Sequence, residues 1–178
     1  IKYEGPGWES DKVGYRLYLD WRNAIDVYGK KVDTLVLPYV GQDGYESYHE
    51  MAPWGMDILK VGESLGIGSL GFWDGQKAQR VALTDSVYCT IADDGDNRSE
   101  VQVDYYGWKI DSSTVNLNTS LSIEAGSRAT RYTVRINQSM QNLCTGIVKM
   151  DGTTLLKGEG SGKWNYLATW GKQSLAGD

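Results

Sequence analysis

A chain of 178 residues with 22 glycines and 3 prolines is long enough to bury a core without metal or disulfide staples. It reads as one domain over 1–178, or as a fragment of a larger one. The net charge of −5 and the lack of any basic run exclude a nucleic-acid partner, because phosphate binding draws its affinity from a basic patch. No apolar stretch reaches the roughly 18 residues of a membrane span, so none is expected.

Phe occurs once, whereas Tyr occurs 12 times and Trp 7 times. Aromatic rings with a polar tip suit sugar surfaces, and they suit the half-exposed face of any β-sandwich equally well.

In chain order, the first polar grouping is Gly5-Pro6-Gly7-Trp8-Glu9-Ser10-Asp11-Lys12. It leads into a strand predicted over 12–19. Alternation puts Lys12, Gly14, Arg16 and Tyr18 on one face and Val13, Tyr15, Leu17 and Leu19 on the other. A guanidinium at Arg16 has the geometry to hold a carboxylate by two prongs; an ion pair with Glu9 or Asp11 carries equal weight. Asp26, Tyr28, Lys30 and Lys31 read as a solvated hairpin end, followed by a strand over 34–37.

The connection over 38–71 is long, and long connections in a compact domain are usually functional. It carries Tyr48-His49-Glu50, then Trp54, Asp57 and Lys60, then the Gly-rich run 61–68. His49 is the one histidine of the chain, and an imidazole titrates near neutrality, which makes it the first candidate for acid–base work. A loop-capping role is the plainer alternative. Residues 54–61 are compatible with one short helical turn.

The second half is punctuated by turns and reads as strands over 86–91, 99–106, 115–123, 129–138, 143–150 and 165–169. The first two flank the Asp93-Asp94-Gly95-Asp96-Asn97 cluster, a tight loop between antiparallel strands. That cluster is no EF-hand, because the twelfth position from Asp93 is Asp104 and not Glu. Cys89 and Cys144 are expected as buried free thiols, with one disulfide as the alternative. One His and two distant Cys give no zinc spacing. Gly66-Ile67-Gly68 lies outside any βαβ pattern, and no Ser sits in a nucleophile elbow. Neither a metal nor a cofactor is expected.

The runs 7–18, 25–31, 48–50, 54–62 and 64–68, in that order, resemble an uncharacterised-domain family over about 8–174. Members of that family are encoded in polysaccharide-utilisation clusters of glycan-degrading bacteria, often beside unsaturated glucuronyl or rhamnogalacturonyl hydrolases. The resemblance implies an all-β fold, an antiparallel β-sandwich of the galactose-mutarotase-like supersandwich type, with periplasmic or secreted placement and action on sugars. Family members carry sequence on both sides, which leaves open both a complete and an incomplete sandwich in this chain. An additional chain segment or a homo-oligomer would then complete the sheets.

The expected function is that of a carbohydrate-active enzyme on uronic-acid-containing oligosaccharides or polysaccharides, working by elimination as a lyase or dehydratase. That chemistry needs a base at the carbon α to the carboxylate, an acid at the leaving oxygen and a cation for the enolate-like intermediate. His49 is assigned as base, Tyr48 as acid and Arg16 or Lys60 as cation. Trp8, Glu9, Tyr18, Glu50, Trp54, Asp57 and Trp73 are assigned to substrate contact. Two other readings stand beside this one: a mutarotase- or epimerase-like enzyme using His49 with Glu50 or Asp57, and a non-catalytic glycan-binding module stacking sugars on Trp8, Trp21, Trp54 and Trp73.

Overall fold

The computed structural model describes residues 2–44, 46–159, 162 and 164–177. Among them are 13 strands and two short 3-10 turns, Lys2–Glu4 and Glu46–Tyr48. The strands are β1 (Gly7–Glu9), β2 (Val13–Leu17), β3 (Ile25–Lys30), β4 (Gly55–Asp57), β5 (Ile67–Trp73), β6 (Ala78–Arg80) and β7 (Ser86–Asp94). They continue with β8 (Arg98–Ile110), β9 (Ser113–Glu124), β10 (Thr130–Ile136), β11 (Leu143–Ile147), β12 (Thr154–Glu159) and β13 (Asn165–Trp170). Every strand pairing is antiparallel.

Two four-stranded sheets, β1-β2-β3-β4 and β10-β9-β8-β7, form the main sandwich. A three-stranded sheet, β11-β5-β6, and the β12-β13 hairpin extend it. The long strands β8 and β9 alternate as a sheet with one wet face should. Val101, Val103, Tyr105, Val115, Leu117, Leu121 and Ile123 turn inward to one apolar core, each such burial worth about 1.5–3 kcal/mol. Thr119, level with Val103 in the register, is buried among them; its hydroxyl donates to the Val103 carbonyl at 2.8 Å, which meets the cost of a buried polar group.

The opposing sheet meets this core with Val13, Tyr15 and Leu17 of β2. Its other face is also covered, by a second cluster of Tyr28, Val36, Leu37, Val40 and Tyr48. β2 is therefore buried along its whole length, although its sequence alternates as though one face were wet.

Register fixes what lies on that second face. Arg16 pairs with Asp26 across β2 and β3, and Tyr28 pairs with Asp57 across β3 and β4. The last pairing depends on Gly55, which has φ +134° and sits where a Cβ would lie 1.8 Å from the Gly29 carbonyl oxygen. Any other residue there would push β4, and with it Asp57, off the sheet edge.

Several local expectations are corrected. Residues 34–37 form turn structure and no strand, because the amides of Val36 and Leu37 donate to the Glu9 carboxylate at 3.0 and 2.8 Å and so leave no ladder. Residues 54–61 hold β4 in place of a helical turn. Asp26 and Tyr28 are buried within β3 and do not form a solvated hairpin end. Cys89 and Cys144 are both free thiols, but Cys89 is exposed and Cys144 half-buried, since their strands have one open face. The β12-β13 hairpin keeps Leu155, Leu156, Tyr166 and Leu167 exposed. No helix of the described residues is long and apolar enough to cross a membrane.

Candidate functional site

The face of β2, β3 and β4 turned from the main core carries charges that a fold does not need. Arg16 is 0% exposed. Its Nη2 donates to Asp26 Oδ2, and to Asp57 Oδ2 at 3.0 Å. Its Nη1 donates to the Tyr48 hydroxyl at 3.3 Å. Three phenol rings surround the guanidinium, those of Tyr18, Tyr28 and Tyr48, with centroids 4.2, 5.4 and 5.5 Å from Cζ.

Backbone amides hold the two carboxylates in place: Val27 N–H donates to Asp26 Oδ1 at 2.8 Å and Leu59 N–H to Asp57 Oδ1 at 3.1 Å. The Tyr18 hydroxyl reaches Asp26 Oδ2 at 3.4 Å. His49, 6% exposed, lies with Nε2 3.6 Å from Asp57 Oδ2, and its ring is 4.4 Å from that of Tyr48.

Two carboxylates on one buried guanidinium leave one negative charge too many for a low-dielectric interior. Burial first, and the neighbouring Asp26 second, push the Asp57 carboxyl up to about 8. That shift favours the carboxylic-acid form of Asp57, which lessens the excess negative charge around Arg16. Burial likewise raises the Tyr18 and Tyr28 phenols, so they stay protonated. His49 is the imidazole adjacent to that carboxyl.

Tyr48, 2% exposed, borders both the cluster and a hollow. The hollow, of about 570 Å³, is also walled by Leu35, Tyr39, Asp43, Ser47 and Trp54. Tyr39 is 75% exposed there, and Trp54 packs against Tyr28 with ring centroids 6.3 Å apart. That volume matches a saccharide-sized site. Among the described residues Asp43 is the charged one on its wall, and none that lines it is a cation. A larger cleft of about 720 Å³, between the 33–38 turn and the β7-β8 loop, is lined by Glu9, Asp11, Asp33, Asp94 and Asp96, with Arg98 as its cation. A polyanion meets repulsion in such a cleft.

Of the residues selected from sequence, His49, Tyr48, Arg16, Tyr18 and Asp57 come together in the cluster, and Trp54 adjoins it. The others do not. Trp8 is stacked on Tyr15 in the main core, with its indole N–H on Thr130 Oγ1 at 2.9 Å, and offers no open ring face. The Glu9 carboxylate is taken by Lys30 Nζ at 2.9 Å and by the Val36 and Leu37 amides, which makes it a clamp on the turn. Glu50 and Lys60 are exposed outside both cluster and hollow, and Trp73 lies on β5, also outside the hollow lining.

Arg16 is spent on Asp26 and Asp57, so it cannot grip a ligand carboxylate as expected. Its ion pair is with those residues and not with Glu9 or Asp11. Asp26 and Tyr28 are the cluster members that sequence reasoning missed. The signal available was the period-2 run Ile25-Asp26-Val27-Tyr28, which marks a strand with its polar residues on one face. Among the described residues no group of His, Cys, Asp and Glu is arranged to hold a metal ion.

Neither a curated protein nor a solved structure matches the chain. A domain family does, over residues 1–178, and the chain therefore belongs to the family described as Domain of unknown function (DUF4861).

Proposed function

We propose that this chain belongs to a carbohydrate-active enzyme, periplasmic or secreted, that acts on uronic-acid-containing oligosaccharides by elimination. The observation that carries the reading is the proton-bearing Asp57, raised to about 8 and 3.6 Å from the chain's one histidine, directly behind a phenol that lines a saccharide-sized hollow. Acid–base groups tuned near neutrality and placed against a concavity are the usual mark of proton-transfer chemistry.

In this reading a sugar ring lies against Trp54 and Tyr39; the Tyr48 oxygen, as phenolate, takes the proton from the carbon α to the carboxylate, the β C–O bond breaks to leave the unsaturated sugar, and the departing oxygen takes that proton back from Tyr48. The Arg16 guanidinium, 3.3 Å from that oxygen, stabilises the phenolate form. His49 and Asp57 hold the phenol proton while Tyr48 acts as base. The supersandwich architecture suggested by the family resemblance fits this reading.

The His49–Asp57 pair, together with a hollow wall that carries no cation among the described residues, favours a second reading. Epimerisation or ring opening of a sugar moves protons between oxygens and needs no grip on a carboxylate. Incubation of the protein with a panel of saturated and unsaturated uronic oligosaccharides separates the two. Elimination gives a product absorbing in the near ultraviolet, whereas epimerisation changes optical rotation alone. Tyr48→Phe, which removes one hydroxyl, is expected to slow turnover by about 10²-fold; unchanged turnover would remove Tyr48 from the chemistry.

A further inference from the structure

Two concavities flank the turn at 33–38, and they adjoin. Thr34 and Leu35 line both the hollow beside Tyr48 and the larger cleft toward the β7-β8 loop. Both residues are exposed, Leu35 to 58%, so the rim between the two concavities is an open edge that a bound chain can cross. The rim is also held in place. Glu9 fixes the Val36 and Leu37 amides at 3.0 and 2.8 Å and is itself held by Lys30 at 2.9 Å, while Lys12 holds Asp33 at 3.0 Å. Two joined hollows on a fixed backbone suit an extended ligand, because little of the wall has to be ordered on binding.

The charges of the cleft divide into matched and unmatched. Glu9 is taken by Lys30, and Asp11 and Asp33 share Lys12. Arg98 is paired with Glu100, and its Nε lies 3.6 Å from Glu124 Oε1. Asp94, at the end of β7, and Asp96, in the loop that follows, line the cleft, and the carboxylate of neither has a partner among the described residues. The β7-β8 side of the cleft therefore offers free acceptors. Sugar hydroxyls are donors that a carboxylate accepts well, whereas a ligand carboxylate at the same place is repelled.

We propose that hollow and cleft are adjoining subsites for one glycan chain, and that the cleft takes an uncharged sugar residue whose hydroxyls donate to Asp94 and Asp96. The substrate class is then a mixed glycan, in which the uronic residue beside Tyr48 has a neutral sugar as its neighbour across the rim of Thr34 and Leu35. This rests on the reading of the hollow as the seat of a uronic residue.

The test is calorimetric titration of the intact chain with tetramers of galacturonate and of glucuronate, and with the methyl ester of each, which keeps the rings and removes the charge. One tetramer should bind per chain. Trp54→Ala in the hollow, and Asp94→Ala with Asp96→Ala in the cleft, should each weaken the same ester by about tenfold. Asp94→Asn with Asp96→Asn keeps the acceptors and removes the charge. It should tighten binding of the acid by about fivefold or more and leave the ester unchanged, a gain that a damaged fold does not give. Two tetramers per chain, or an acid bound no more tightly by the asparagine variant, overturns the joined subsites while the uronide reading stands. Failure of wild type to bind any of the four probes, or wild-type affinity in Trp54→Ala, overturns that reading and the joined subsites with it.

Discussion

The two buried faces of this protein were built to different rules. Between the β7–β10 sheet and the inward face of β2, the filling is aliphatic and aromatic, and its buried hydroxyls at Thr119 and Tyr105 are bonded, to the Val103 carbonyl and to Asn23. On the outward face of β2 to β4, a few ångströms of chain away, an arginine, two aspartates and a histidine share a buried site with three phenols. The first face explains why the chain folds. The second is expensive to keep, since a buried ion cluster is often no more stabilising than well-packed hydrophobes of the same volume, and that is the argument for a chemical task.

Cutting the cluster in two steps has the largest expected effect. Arg16→Met alone leaves Asp26 and Asp57 without their cation and is expected to cost about 3–5 kcal/mol. Adding Asp26→Leu and Asp57→Leu to it should restore most of that loss, because the desolvated charges are gone. Urea unfolding of the two variants measures the difference, and a triple variant as unstable as the single one would mean that the cluster holds the fold together.

Leu121→Ala, in the apolar face, is expected to destabilise by about 2–5 kcal/mol, with turnover per folded molecule unchanged. If it altered turnover, the two faces would not be separable.

A smaller effect sharpens the picture of the proton. The Asp57 carboxyl moves from an ordinary value of 3.8 up to about 8 on folding. Between these values the folded chain holds a proton that the unfolded chain has lost. This group's contribution to stability is therefore present in full below pH 4 and falls as pH rises toward 8, by at most about 1.4 kcal/mol per pH unit. In Asp57→Asn that slope should vanish, which unfolding midpoints at pH 5 and pH 8 will register.

The regular half of the fold was readable because β8, β9 and β10 have one apolar and one polar face, so alternation, β-branching and turn residues agree. The irregular half was not, for specific reasons. β4 is three residues long and exists because Gly55 lets the chain approach Gly29, a tertiary fact with no local signature. The 34–37 run has strand-like composition, but its amides are claimed by Glu9, 27 and 28 residues earlier in sequence.

Of the site, His49, Tyr48, Arg16 and Asp57 could be picked out by residue type and crowding. The partner carboxylate Asp26 could not, because it becomes Arg16's neighbour through strand register. Composition likewise misjudged Trp8, whose exposure depends on which face of β1 meets the core.

In the proposed elimination His49 and Asp57 hold the phenol proton while Tyr48 moves a proton from the uronic α-carbon to the leaving oxygen. The most direct test is to follow near-ultraviolet absorbance and product mass while wild type and His49→Gln, each confirmed folded by circular dichroism, are incubated with uronic oligosaccharides. An unsaturated product from wild type, slowed at least about 10²-fold in His49→Gln, is the expected result. A wild type that leaves every uronide unchanged, or a His49→Gln variant that turns over at the wild-type rate, would contradict it.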